Sequence, residues 1–207
     1  MNWVSLLVSL VLLIANGFFV GAEFALTAAR RTKLEQLHQE GNRRAKVALR
    51  SIRELSLMLA GAQLGITMAS LGLGYIAEPA VAHGIEGLLD GFIELPSGAS
   101  HTIALVVALS IVVFFHMVVG EMAPKNIAIA EPERSALWLA VPFRLYVLAF
   151  RPFIHALNAM ANGTLRLLRV EPVDELTNIH TTEELGALVQ ASARGGMIGG
   201  FERRLLA

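Results

Sequence analysis

Cysteine is absent from the 207 residues, which excludes disulfides, thiolate metal sites and cysteine nucleophiles. Charge is scarce as well. Asp, Glu, Lys and Arg make up 16% of the chain and hydrophobic residues 55%, too apolar a balance for an ordinary soluble domain. The formal net charge is zero, so nothing draws the chain to polyanions, and no aromatic-basic patch points to nucleic acid. There is no glycine loop of the kind that cradles phosphates. The histidines, His38, His83, His101, His116, His155 and His180, are scattered, with no pairing at metal-ligand spacing and no nucleophile motif beside them. An enzyme is not expected.

What the chain does have is long uncharged runs. Residues 2–22, 55–77 and 102–120 contain no Asp, Glu, Lys or Arg, and each approaches the roughly 20 residues that a helix needs to cross a bilayer. With their flanks they predict membrane spans at about 2–27, 55–78 and 102–124. The first run lacks the basic n-region of a signal peptide; its first cations, Arg30 and Arg31, come after it. That is the pattern of an anchor with its N-terminus outside.

Charge sets the remaining topology. Arg30, Arg31, Lys33, Arg43, Arg44, Lys46, Arg50 and Arg53 crowd between the first two runs, whereas residues 78–100 have no Lys or Arg and carry Glu78, Glu86, Asp90 and Glu94. The positive-inside rule makes the first segment cytoplasmic and the second external. Lys125 and Arg134 then return the chain to the cytoplasm. Residues 31–53 read as a juxtamembrane helical hairpin turning at Gly41-Asn42, with Leu34, Leu37, Val47, Leu49 and Ile52 as its apolar set. Residues 135–168 are cut by Pro142, Arg144, Arg151 and Pro152, and read as broken amphipathic helices along the inner face, their arginines snorkelling to headgroups.

The fold class is therefore an all-α integral membrane protein, with three transmembrane helices and cytoplasmic juxtamembrane helices in residues 1–170. From 171 the composition becomes soluble. Thr181-Thr182-Glu183-Glu184 forms a capping box before Leu185, Leu188 and Val189. A further helix opens at Phe201 and is cut off at Ala207, so residues 171–207 read as the start of a cytoplasmic linker that continues into another domain.

Within the third run, HMVVGEMAPKNIAIA (116–130) places Glu121 in apolar surroundings, where a lone charge costs several kcal/mol. Glu23 on the first span falls at a similar depth, about 30 Å of helix path from the outer end. Pro124 has no amide hydrogen, so the Gly120 carbonyl loses its α-helical partner and stands beside the carboxylate. Broken helices coordinate cations in this way. The second span offers small residues for close approach, Gly61, Ala62, Gly65, Ala69 and Gly72, with oxygens on Gln63, Thr67 and Ser70, and Asn16 adds another from the first. A hard cation such as Mg²⁺ takes carboxylate, carbonyl and hydroxyl oxygens. Two plainer readings stay open: a Glu121–Lys125 ion pair at i,i+4, and small residues that serve packing alone. His116, five residues before Glu121, is off its α-helical face and reads as a core histidine.

FFVGAEFALTAARRTKLEQL (18–37), AGAQLGITMASLGLGYIAEPA (60–80) and FFHMVVGEMAPKNIAI (114–129) together resemble the membrane domain of the CorC/CNNM magnesium transporters. TTEELGALVQASARGGMIGGFERRLL (181–206) is similar to the linker before their paired CBS domains. The resemblance implies a homodimer in the cell membrane with its C-terminus cytoplasmic, exporting Mg²⁺ that binds dehydrated between helices. ATP would act only through a domain beyond this chain. Glu121 matches the family's metal-binding glutamate, and the ligand regions of the other helices map to residues 20–23, including Glu23, and 60–70, including Gly61, Gly65, Thr67 and Ser70. Many relatives carry serine where this chain has Val20 and Ala22, and several where it has Ala60, so backbone carbonyls, Glu23 or water would substitute. Some bacterial relatives are linked to polyamines, which makes another exported cation one alternative. A membrane anchor or sensor that transports nothing is the other.

Overall fold

The computed structural model describes residues 3–92 and 97–168. Its order is α1 (Trp3–Ala28), α2 (Arg31–Gln39), α3 (Arg43–Arg53), α4 (Leu55–Phe92), α5 (Ser97–Phe115), a π-helical turn (His116–Met122), α6 (Ala123–Ala130) and α7 (Pro132–Leu167). The capping box and the linker helices expected after residue 171 lie outside the described residues.

Among the described residues, four stretches are long and apolar enough to cross a membrane: Trp3–Ala28, Leu55–Leu88, Ala99–Ala130 and Pro132–Leu167. The first three are the expected spans, and α7 adds one to the count. The second is longer than expected. α4 runs for 38 residues, about 57 Å at 1.5 Å per residue, straight through Pro79 and the segment expected to be a loop. Proline removes only one hydrogen bond, from the Tyr75 carbonyl, and the helix carries on beyond it.

The expected breaks in 135–168 are absent: α7 is one 36-residue helix with Pro142 and Pro152 inside it. Packing overrides the two lost hydrogen bonds. Ala136, Ala140, Phe143, Val147 and Ile154 recur at steps of three, four and seven residues and are all buried, against Ala22, Ala25, Leu26, Leu34, Leu49, Met58 and Ala62. Arg144 does not snorkel. Its Nη2 donates to Glu54 Oε1 at 3.0 Å, tying α7 to the α3–α4 junction.

The α2–α3 hairpin forms as the sequence predicts. Gly41 takes φ +95° at the turn, a region open to glycine at little steric cost. Asn42 Oδ1 then caps α3, accepting from Arg44 N at 3.0 Å and Ala45 N at 3.4 Å. Leu34 and Leu49 are buried in the common core, with Leu37, Val47 and Ile52 packed on it. That core sits at the basic end of the bundle and fixes how α1, α4 and α6 meet.

α1 and α4 approach closely because glycine leaves room. A Cβ on Gly65 would lie 2.6 Å from the Phe19 ring, and one on Gly72 3.2 Å from Leu12 Cδ1. Phe19 in turn packs against Tyr146, 4.7 Å between centroids with the rings tilted by 52°, so one aromatic side chain joins three helices.

Candidate functional site: a π turn held by a donor chain

The third span is widened at Glu121, not broken. His116–Met122 is π-helical, and Ala123 N–H reaches back five residues to the Val118 carbonyl. Pro124 is the second residue of α6, where a missing N–H costs little. Its ring packs on α1, where a Cβ on Gly17 would lie 3.0 Å from Pro124 Cγ and one on Gly21 3.8 Å from Pro124 Cβ. Gly17-x-x-x-Gly21 is thus the small-residue seat for the proline. The four-residue glycine spacing that makes this seat is legible in the sequence.

The Gly120 carbonyl is not free either. Asn16 is fully buried, and its Nδ2 donates to Gly120 O at 3.0 Å. With the amide fixed that way round, Asn16 Oδ1 must accept, and Ser70 Oγ donates to it at 3.0 Å. The one Ser70 hydrogen is then used, so the 3.2 Å contact between Ser70 Oγ and His116 Nε2 places the proton on Nε2. Donation runs His116 to Ser70 to Asn16 to Gly120, across α4 and α1 and back to the π turn. His116 is therefore no inert core residue. In a π turn the i→i+5 register returns residue 121 over residue 116, and Nε2 lies 3.7 Å from Glu121 Oε1. That is ion-pair range but beyond a hydrogen bond.

The Glu121–Lys125 pair does not form, because residue 121 is in π register and residue 125 in α6. Lys125 Nζ sits over the Phe24 ring instead, 4.6 Å from its centroid. Glu121, Lys125, Phe24 and Glu23 line one cavity of about 460 Å³, walled by Val20, Ile66, Met117 and Met122. The depth count that paired Glu23 with Glu121 thus puts two carboxylates on one space. Among the described residues no three His, Cys, Asp or Glu side chains gather at metal-binding distances, so a cation here would also need hydroxyl or carbonyl oxygens, or water.

Residues 7–202 match the family described as the cyclin M (CNNM) transmembrane N-terminal domain. The chain belongs to that family. An uncharacterised protein of Mycobacterium tuberculosis is 44% identical over 94% of this chain and 55% of its own length. The UPF0053 protein YhdT of Bacillus subtilis is 40% identical over 94% of this chain and 42% of its own. A UPF0053 protein of Synechocystis is 32% identical over 95% and 43%. The chain spans about half the length of these curated relatives.

Not every expected residue of this CNNM domain converges on the cavity. A Cβ on Gly61 would lie 2.6 Å from Val147 Cγ2, so that glycine seats α7, as Gly65 seats Phe19. Thr67 Oγ1 donates to the Gln63 carbonyl at 2.7 Å and lines a separate cavity of about 290 Å³ against Asn158 and Leu157 of α7. Two groups emerge: Glu23 and Glu121 on the cavity, and Asn16, Ser70 and Gly120 in the donor chain behind it, joined to Glu121 through His116.

Proposed function

We propose that this CNNM membrane domain carries Mg²⁺ across the bilayer, outward from the cytoplasm, with Glu121 as the principal ligand. The observation that supports it most is the cavity bearing Glu23 and Glu121 beside a π turn inside a membrane-spanning helix. Carboxylates at such depth are retained for ion pathways. A hard divalent ion suits them, and Mg²⁺ keeps several waters when protein ligands are few, which a cavity of about 460 Å³ accommodates. The reading takes direction, pairing of two copies and nucleotide-responsive CBS domains from the family resemblance.

The test is flux in proteoliposomes. Wild-type protein should move Mg²⁺, and Glu121→Ala should lose at least nine-tenths of that flux while still assembling. Wild-type flux in the variant would sink the ligand assignment. A putrescine arm in the same vesicles separates the alternatives: putrescine flux without Mg²⁺ flux would replace the ion, and flux of neither would favour an anchor.

A further inference from the structure

The cations of α3 differ from those around them. Elsewhere at this end of the bundle arginines are paired: Arg30 with Glu133 at 2.9 Å, Arg31 with Glu35 at 2.9 Å and Arg144 with Glu54 at 3.0 Å. Arg43, Arg44, Lys46, Arg50 and Arg53 have no carboxylate partner among the described residues. The carboxylates of residues 31–54 are engaged elsewhere, Glu35 by Arg31, Glu40 by the Gln36 amide and Glu54 by Arg144. α3 itself contains no Asp or Glu. Arg43, Lys46, Arg50 and Arg53 follow at steps of three, four and three residues, which puts them on one arc about 80° wide at about 100° per residue. All four are exposed, while Ala45, Ala48 and Leu49 take the buried side. Like charges at such spacings repel, and Arg43 also meets the positive end of the helix dipole. Nothing within α3 offsets that repulsion, so the stripe suits an anion from outside the helix.

The neighbouring surface decides what kind of anion. Arg44, turned about 100° from Arg43, lies over the Trp138 ring of α7, 4.7 Å from its centroid. Trp138 is 64% exposed and begins a second stripe, Trp138, Val141, Leu145 and Leu148, again at steps of three, four and three and exposed throughout. A basic face and an apolar face therefore meet at Arg44 and Trp138. A soluble polyanion would use the first and leave the second in water. A phospholipid uses both, its phosphate against the cations and its acyl chains against α7. Tryptophan favours that boundary, because its amphipathic ring sits at headgroup level.

We propose that the outer face of α3 binds anionic phospholipid headgroups, with α7 from Trp138 to Leu148 as the seat for their acyl chains. The surface gathers anionic lipid beside the α2–α3 hairpin, and the lipid charge relieves the repulsion along α3. Leu34 and Leu49 of the hairpin belong to the core shared with α1, α4 and α7, so lipid held on α3 also steadies the bundle. None of this depends on what the cavity at Glu121 carries.

Quenching of tryptophan by brominated lipid tests it on the intact chain in nanodiscs. The chain has two tryptophans, so W3F leaves Trp138 as the reporter. The discs hold phosphatidylcholine and phosphatidylglycerol at a fixed ratio, with bromine on the acyl chains of one or the other. In W3F, quenching should show phosphatidylglycerol enriched around Trp138 at least about fivefold, the share of a single cation near an anionic surface, and high salt should reduce the enrichment. Adding R43Q/K46Q/R50Q/R53Q should bring it to parity. The half variants R43Q/K46Q and R50Q/R53Q should fall between, and they carry the test if the fourfold variant folds poorly. R31Q/E35Q, which removes a cation together with its partner, should match W3F. Parity in W3F, or an enrichment that survives loss of the stripe, would overturn the proposal. Parity together with a shift of Trp138 emission on adding polyglutamate would overturn it in favour of an acidic protein partner.

Discussion

Replacing Asn16 by leucine removes the central link of the donor chain while nearly preserving volume. Asn16 has 0% of its surface exposed, so no solvent can take over its partners. Two bonds disappear, Nδ2 to Gly120 O and Ser70 Oγ to Oδ1, both 3.0 Å. Ser70 still reaches His116, but the Gly120 carbonyl is left without its side-chain donor, and Pro124 cannot supply the α-helical one. Interhelical hydrogen bonds in membrane proteins average about 0.6 kcal/mol, so two set a floor near 1 kcal/mol. An unsatisfied buried carbonyl raises the ceiling to about 3 kcal/mol. The expected loss for Asn16→Leu is therefore about 1–3 kcal/mol, read as a lower midpoint when helix content is followed during SDS titration of detergent-solubilised protein. Asn16→Asp separates the two bonds, since its carboxylate can accept from Ser70 but cannot donate to Gly120. It should destabilise at least as much as leucine. If both variants unfold within about 0.3 kcal/mol of wild type, a difference too small to interpret, the donor chain does not hold the π turn and its ordering is wrong.

Two other perturbations address neighbouring features. Gly65→Leu should destabilise by about 1–3 kcal/mol through overpacking, because a Cβ there already falls 2.6 Å from the Phe19 ring. Gly74→Leu, with nothing within 4 Å of its Cβ position, should leave the same SDS midpoint unchanged, and equal effects would refute the close-approach reading. Deleting Val119 takes one residue out of the widened turn, letting α pairing resume while α5 and α6 keep their faces. Circular dichroism should then show helix content retained, while calorimetric Mg²⁺ affinity falls at least tenfold; undiminished affinity would show that the cavity does not need the π register.

Much of the fold was legible because membrane insertion leaves coarse marks. Charge-free runs gave the first three crossing helices, and Gly41-Asn42 with the alternating leucines gave the α2–α3 hairpin. α7 departs from the broken helices that its two prolines and two arginines imply in isolation. They are outweighed by a buried seam running from Ala136 to Ile154 and by Glu54, which is 90 residues away in sequence from its partner Arg144. No local pattern announces such a partner. α4 runs on past Pro79 for a related reason: proline forbids one bond, not a helix.

At the site, composition and depth found Glu23 and Glu121, but the rest depended on backbone register. In an α-helix, residues five apart are turned by about 140° from each other, and that rule removed His116 and kept Lys125. A π turn reverses both results. It swings His116 over Glu121 and leaves Lys125 on Phe24, so one unwritten change in hydrogen bonding decides which side chain faces the carboxylate. The same turn occupies the oxygen that Pro124 was expected to free, because Asn16 has taken the Gly120 carbonyl. A cation approaching Glu121 would meet Glu23 as its companion carboxylate, with the Gly120 oxygen held by Asn16 behind them. Moving that oxygen would strain the contact between α1 and the third span, where Gly17 seats Pro124 and Asn16 grips Gly120. If that carbonyl serves as a ligand, drawing it into the cavity would couple ion binding to relative motion of the two helices.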